Sequence, residues 1–233
     1  MAFYSGDDTK GEYVYKFVPN GRFVAGADAD NRRLLDDGTL YVARFDADGS
    51  GQWLALVHGK HGLTTENGFP SQPEVLLNAR AAADRAGATP MDRPEWVAVH
   101  PDSREVYVTL TNNDGRGAKQ PLDKANPRPN NLHGQILRWN EEGADPTATR
   151  FQWEVFLLAG EQRGARDGQG NAVAANLIGT IDGDRFSSPD GLAFDRDGRL
   201  WIETDFDDDQ PAMQAMGTNQ LLCADPKTRE VRR

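Results

Sequence analysis

Two carboxylates stand at equivalent places in a repeated pattern. Glu95 lies in Arg93-Pro94-Glu95, followed by Trp96-Val97-Ala98-Val99; Asp190 lies in Ser188-Pro189-Asp190, followed by Gly191-Leu192-Ala193-Phe194. Carboxylate oxygens are hard donors suited to Ca²⁺ and oxidised iron, so Glu95 and Asp190 are the candidate metal ligands. The competing reading is a pair of turn carboxylates, because Pro-Asp-Gly is a common turn sequence; the residues alone leave both open. Arg93 is the candidate catalytic residue. In extended chain, residues i and i+2 point to one side, and a guanidinium beside a metal-bound carboxylate would match two phosphate oxygens with its planar fork. The opposing reading is an ordinary surface Arg–Glu pair, which contributes little. The second copy carries Ser188 at this position, so the repeat itself does not require an arginine, and that favours a functional role.

Other polar residues rank below these. Asp7, Asp8, Asn112, Asn113 and Asp205 close second strands at the same end, one strand further from the axis, and read as supporting or loop-capping groups. Asn130, Asn131 and His133 read as turn residues, and His58 and His61 as a solvated loop. Arg116, Lys119, Lys124 and Arg128 could raise the local phosphate concentration, but a basic loop on an acidic protein is expected to be solvated.

The elements that must position these groups are strands. Each copy has an apolar alternation, a polar turn, and a second alternating run with an aromatic, Tyr107 or Trp201. Period-two alternation broken by Asp, Gly and Pro is the mark of a β-hairpin. In an antiparallel pair the start of one strand and the end of the next lie together, which gathers Glu95 with Asn112 and Asp190 with Asp205. The register recurs: residues 3–8 match 106–113 and 200–207, and residues 13–20 match 135–140 and 219–225. Residues 93–160 hold a full set of four strands, at 96–100, 106–111, 134–139 and 151–158. Four antiparallel strands per repeat indicate a β-propeller blade. The expected fold is all-β: about three four-stranded blades of an incomplete propeller, one partial domain over residues 1–233, read as cut at both ends. One short inserted helix is expected from Ser71-Gln72-Pro73-Glu74, with Val75, Leu76, Ala79, Ala82 and Ala86 at helical spacing before Gly87. Long polar loops at 113–132 and 161–187 are candidate lids.

Composition bounds the function. The 233 residues carry 36 acids against 26 bases, a net charge of −10. That argues against non-specific nucleic-acid binding, which needs a basic surface. No apolar run reaches a membrane-spanning length, and no signal peptide is read at the start. The one cysteine, Cys223, makes no internal disulfide or cysteine-rich zinc site and reads as a core residue.

The stretches YSGDD…YVYKFV, LLDDGTLYVARFDADGSGQWLAL, MDRPEWVAVHPDSREVYVTLTNN, DKANPRPNNLHGQILRW and SPDGLAFDRDGRLWIETD resemble, in order and over essentially the whole chain, the PhoX family of bacterial alkaline phosphatases. The resemblance implies a six-bladed-type propeller that hydrolyses phosphate monoesters with bound calcium and iron, exported by the twin-arginine route to the periplasm or beyond. It favours metal binding by Glu95 and Asp190. It also implies that a cysteine and further acidic ligands of the iron site lie outside this chain; Cys223 does not match that cysteine. Two other readings carry forward. A calcium-dependent lactonase-like propeller shares the SPDGLAFD…LW hairpin but has no evident need for Arg93, and a non-catalytic propeller scaffold needs no metal site.

Overall fold

The computed structural model describes residues 1–205 and 211–233, grouped in two compact units. Phe206 and Asp207, which the repeat register includes, lie outside the described residues.

The first unit comprises residues 1–5, 13–90 and 141–152. Its strands β1 (Phe3–Ser5), β2 (Tyr15–Pro19), β3 (Gly38–Phe45) and β4 (Ser50–Ala55) form an antiparallel meander, and β4 pairs onward with residues 150–152. Val42, Leu54, Leu56 and Leu63 are buried in its core against Val75, Ala82 and Ala83. The expected single helix is two, Gln72–Leu77 and Ala79–Ala86. Ser71 caps the first by accepting from the Glu74 amide, but Asn78 leaves helical geometry and donates its side-chain amide to the Glu74 carbonyl at 2.9 Å. Leu76, inside the first helix, is exposed rather than packed in the core as the helical spacing read from the sequence has it.

A buried charge pair organises this unit. Lys16 Nζ lies 3.2 Å from the Glu141 carboxylate, with both side chains almost fully inaccessible. Glu141 also accepts from Tyr4 Oη at 2.7 Å and Trp53 Nε1 at 3.1 Å, while Lys16 donates to the Ala148 carbonyl at 2.6 Å. Burial pushes the Lys16 ammonium down to about 8 and raises the Glu141 carboxyl, each against the pull of the other. Desolvation therefore dominates, and removing one partner strands the other.

The second unit comprises residues 6–12, 91–140 and 153–233. Strands β5 (Pro94–Val99), β6 (Val106–Leu110), β7 (Gln135–Glu141) and β8 (Arg150–Leu158) lie in that order. A parallel strand β9 (Asp182–Gly183) borders the next sheet, β10 (Pro189–Phe194), β11 (Leu200–Thr204), β12 (Leu221–Ala224) and β13 (Glu230–Arg232). The strands thus fall into four-stranded antiparallel groups, the blade unit of a propeller, and the all-β reading holds. Every residue of β6 is buried, as a central strand covered on both faces requires. Its Tyr107 ring meets Phe156 of β8 and Phe194 of β10 edge-on, each at 5.2 Å. Cys223 in β12 is half-buried rather than in the core. Among the described residues, no helix is long and apolar enough to cross a membrane.

Glu141→Ala is expected to lower the stability of the full-length protein by roughly 3–5 kcal/mol, because it leaves the Lys16 ammonium buried and unpaired. The urea unfolding midpoint measures this; a midpoint within error of the parent would show that the pair contributes nothing net.

Candidate active site

The two carboxylate-bearing strand starts are built alike. Arg93 and Ser188, each followed by proline, sit in the left-handed backbone region at φ 56° and 52°. Non-glycine residues rarely adopt this conformation, so it is held by the surroundings. The Thr111 amide donates to the Arg93 carbonyl at 3.1 Å, and the Asp205 amide donates to the Ser188 carbonyl at 3.0 Å. Immediately after each proline the ladder slips by one residue. Pro94 pairs Leu110 but Val97 pairs Val108, and Pro189 pairs Thr204 but Leu192 pairs Ile202. Each copy therefore has a β-bulge, Glu95-Trp96 opposite Thr109 and Asp190-Gly191 opposite Glu203, and bulges re-aim side chains out of the sheet alternation.

Thr109 ties the copies together. Its hydroxyl donates to the Asp190 carbonyl at 2.7 Å and accepts from the Trp96 amide at 3.1 Å. One buried side chain in β6 thus fixes the backbone at both bulges. Gly191 lies close beside Glu203, whose flexible carboxylate would lie 2.7 Å from an added Cβ and would have to move aside. Gly6 is required more strictly, because a Cβ there would meet backbone: the Pro94 carbonyl oxygen at 2.2 Å and the Glu95 carbonyl oxygen at 2.6 Å. This close approach lays Asp7 and Asp8 along the start of β5.

Arg93 lies beside Glu95 as the sequence reading has it, with Nη2 3.7 Å from Glu95 Oε1. The cause is the left-handed turn and bulge rather than simple strand alternation, and Glu95 is not its closest partner. Asp8 is, accepting Nε at 2.5 Å and Nη2 at 3.0 Å, while Asn112 Oδ1 accepts Nη1 at 3.3 Å. Among the described residues these bonds engage three of the five guanidinium N–H groups, which leaves one hydrogen on each terminal nitrogen.

The electrostatics are those of crowded acids around one cation. Burial, a hydrogen bond shared with Asp8, and repulsion from Asp190 and Asp8 push the Glu95 carboxyl up to about 8, with Arg93 opposing. Burial also raises Asp190, with Asp205 and Asp8 adding repulsion. Burial works to raise Asp8 too, but its hydrogen bonds with Arg93 and Glu95 outweigh this and hold it low. Hydrogen bonding to Asp8, against the cost of burial, raises Arg93 and keeps it charged. Among the described residues no group of three or more His, Cys, Asp and Glu forms a metal-binding cluster. Glu95 and Asp190 nevertheless fit part of an oxygen donor set for a hard cation, since burial first, and then neighbouring negative charge that a cation would offset, hold each above its ordinary carboxylate range.

A second layer, buried and largely paired within itself, adjoins these residues. Asp92, fully buried, accepts from Arg116 Nε at 2.7 Å and from the side-chain amides of Asn113 and Asn131, each at 2.9 Å. Arg128 is buried and donates to the carbonyls of Ala159 and Gly134. The basic loop expected to be solvated is therefore half core: Arg116 and Arg128 pack inside, and only Lys119 and Lys124 are exposed. Residues 113–132 thus form a packed support with an Asn113–Asn131 bridge. His133, expected in a turn, is fully buried, and its Nδ1 lies 2.9 Å from Ser187 Oγ. Burial, with Arg128 and Arg185 nearby, pushes it down to about 4. Residues 161–187 are mostly exposed, with Glu161, Arg166 and Leu177 among the residues lining a cavity of about 630 Å³. Asp8, read from the sequence as a supporting group, is the closest partner of Arg93, and the Gly6-Asp7-Asp8 run carries the signal because its glycine permits the close approach; Asp92 and Thr109 carry no such signal.

The family described as "Alkaline phosphatase PhoX" matches residues 1–233. The chain belongs to the PhoX alkaline phosphatase family. This PhoX-family chain is also similar to a solved structure described as Pseudomonas fluorescens PhoX in complex with vanadate, a transition state analogue. The sequence identity is 45% and the TM-score 0.88, over 100% of this chain and 41% of that one. No curated protein matches. The PhoX match does not favour the lactonase-like or the scaffold reading.

Two outcomes test this architecture. Thr109→Val keeps the shape but leaves the Trp96 amide unpaired, and should cost about 1–3 kcal/mol in denaturant unfolding; no change would remove Thr109 as the tie. His133 is neutral in the fold, so stability is unaffected by it above its unfolded value near 6.5. It is lost as pH falls from there towards about 4, where the folded protein finally takes up the proton. His133→Gln should therefore flatten the fall in thermal midpoint between pH 6.5 and 4, whereas parallel curves would contradict the assignment.

Proposed function

We propose that this chain carries the oxyanion clamp and two metal-holding carboxylates of a metal-dependent phosphomonoesterase of the PhoX type. The observation that supports it most is similarity, over the whole of this chain and 41% of the other, to a PhoX whose structure holds vanadate, a transition state analogue; here Arg93 keeps one N–H on each terminal nitrogen uncommitted among the described residues. A phosphate monoester and water are the substrates. The ester P–O bond breaks, a P–O bond to the water oxygen forms, and the leaving alkoxide takes a proton.

Glu95 and Asp190 would hold the metal, calcium and iron by family resemblance, with the remaining ligands supplied elsewhere in the full-length protein. When bound, the metal supplies Lewis-acid polarisation of the phosphoryl oxygens and holds the nucleophile. Arg93 places its end fork on two non-bridging oxygens as charge builds on them, an interaction stronger in the transition state than in the ground state. Asp8 occupies the side edge of the guanidinium, keeping it charged and directing the end fork away from itself. The resemblance extends the proposal to a periplasmic or secreted protein exported by the twin-arginine route and serving phosphate acquisition.

Arg93→Ala in the full-length protein should lower kcat by about a hundred- to a thousandfold while raising KM less. Arg93→Lys should rescue poorly, because an ammonium lacks the bidentate fork. Glu95→Gln should act through lower metal content, read by elemental analysis. Near-normal turnover by Arg93→Ala at full metal occupancy would reduce Arg93 to a surface ion pair.

A further inference from the structure

We infer that Asn112, Ser188 and the buried Ser187–His133 pair form a hydrogen-bonded brace that sets the plane of the Arg93 guanidinium, so that Asn112 and Ser188 are positioning residues for phosphoryl transfer. The inference rests on the clamp role proposed for Arg93 and concerns what holds that clamp in place.

The chain of contacts is continuous. Asn112 Oδ1 accepts from Arg93 Nη1 at 3.3 Å, and Asn112 Nδ2 donates to Ser188 Oγ at 3.4 Å. Ser188 Oγ lies 3.2 Å from Ser187 Oγ, which lies 2.9 Å from His133 Nδ1. The backbone repeats the connection, since the Ser188 amide donates to the His133 carbonyl at 2.9 Å. Ser187, Ser188 and His133 have at most 1% exposure, so water does not compete at that end.

The donors order themselves in one direction. Arg93 can only donate, so Asn112 must turn its oxygen to Arg93 and its NH₂ to Ser188. Ser188 then accepts from Asn112, and its own proton goes to Ser187. The Ser187 proton goes to His133 Nδ1, which places the imidazole proton on Nε2. In either order His133 Nε2 has no partner among the described residues, and the reverse order would leave the Ser188 proton without an acceptor as well. A protonated imidazole could not accept at Nδ1, and the fold holds His133 neutral. The two outer bonds are long, which suits groups that orient rather than grip.

The repeat explains the placement. Arg93 and Ser188 occupy the same pre-proline, left-handed position of successive blades. One copy contributes the guanidinium and the other a hydroxyl that reaches it through Asn112. With Asp8 on one edge and Asn112 on Nη1, rotation of the guanidinium out of plane would break bonds at both sides.

The test uses the metal-loaded full-length protein with Asn112→Ala, Ser188→Ala and Arg93→Ala. It measures kcat and KM for p-nitrophenyl phosphate, the inhibition constant of vanadate, and metal content. Asn112→Ala should lower kcat about tenfold and weaken vanadate by a similar factor. Ser188→Ala should do the same by a few-fold. KM and metal content should stay close to those of the parent. If Arg93→Ala loses activity while both brace variants keep kcat and vanadate affinity, the brace is wrong and the clamp stands. A fall in kcat without weaker vanadate binding also overturns the brace. If Arg93→Ala itself leaves kcat and vanadate binding unchanged, the clamp falls and the brace with it.

Discussion

The site depends on one electrostatic constraint: several carboxylates are brought to neighbouring bulges with a single guanidinium among them. Glu95 and Asp190 both sit above the ordinary carboxylate range because burial and repulsion from neighbouring acids disfavour their charged forms. Such an arrangement costs stability unless cations offset it. Arg93 offsets part of the charge through Asp8, and a metal would offset more. The two left-handed pre-proline residues and the two bulges are the backbone's side of the same bargain, holding acids where an ordinary strand would turn them apart.

What keeps this arrangement in place is largely neutral or internally paired. Thr109 fixes both bulges at once. Asp92, immediately before Arg93, is neutralised by Arg116 and held by Asn113 and Asn131, so residues 113–132 stiffen the strand start from behind. His133 brings a neutral ring to the buried end of the serine pair. The buried charges Arg116 and Arg128 are tied to Asp92 and to backbone carbonyls, which is why a loop rich in arginine contributes packing rather than substrate attraction.

Much of this is legible in the chain because the repeat is. The alternations at Val97/Val99 and Leu192/Phe194 specify strands with a period that helices cannot share, and the doubled Pro-Glu and Pro-Asp mark the equivalent starts. Adjacent copies of one unit put Glu95 and Asp190 at corresponding points. What the pattern could not give is long-range partner choice. Asp8 is 85 residues from Arg93; Gly6 permits their approach, and the backbone pairing of residues 10–12 with Met91 and Asp92 holds it. Arg116 reads as solvated in sequence because nothing local shows that Asp92 waits in the interior to pair with it. Asn78 breaks the helix through its own side chain bonding back to Glu74, a competition that apolar spacing does not register. The left-handed Arg93 and Ser188 run against the usual preference of a residue before proline, so propensity alone points away from them.

The most direct measurement is a crystal structure of the metal-loaded full-length protein with vanadate, with metal positions fixed by anomalous scattering. The account predicts metal peaks bound by Glu95 and Asp190 carboxylate oxygens, and vanadate oxygens on the terminal nitrogens of Arg93 with Asp8 still on its side edge. Metal bound away from both carboxylates, or vanadate seated without contact to Arg93, would contradict it.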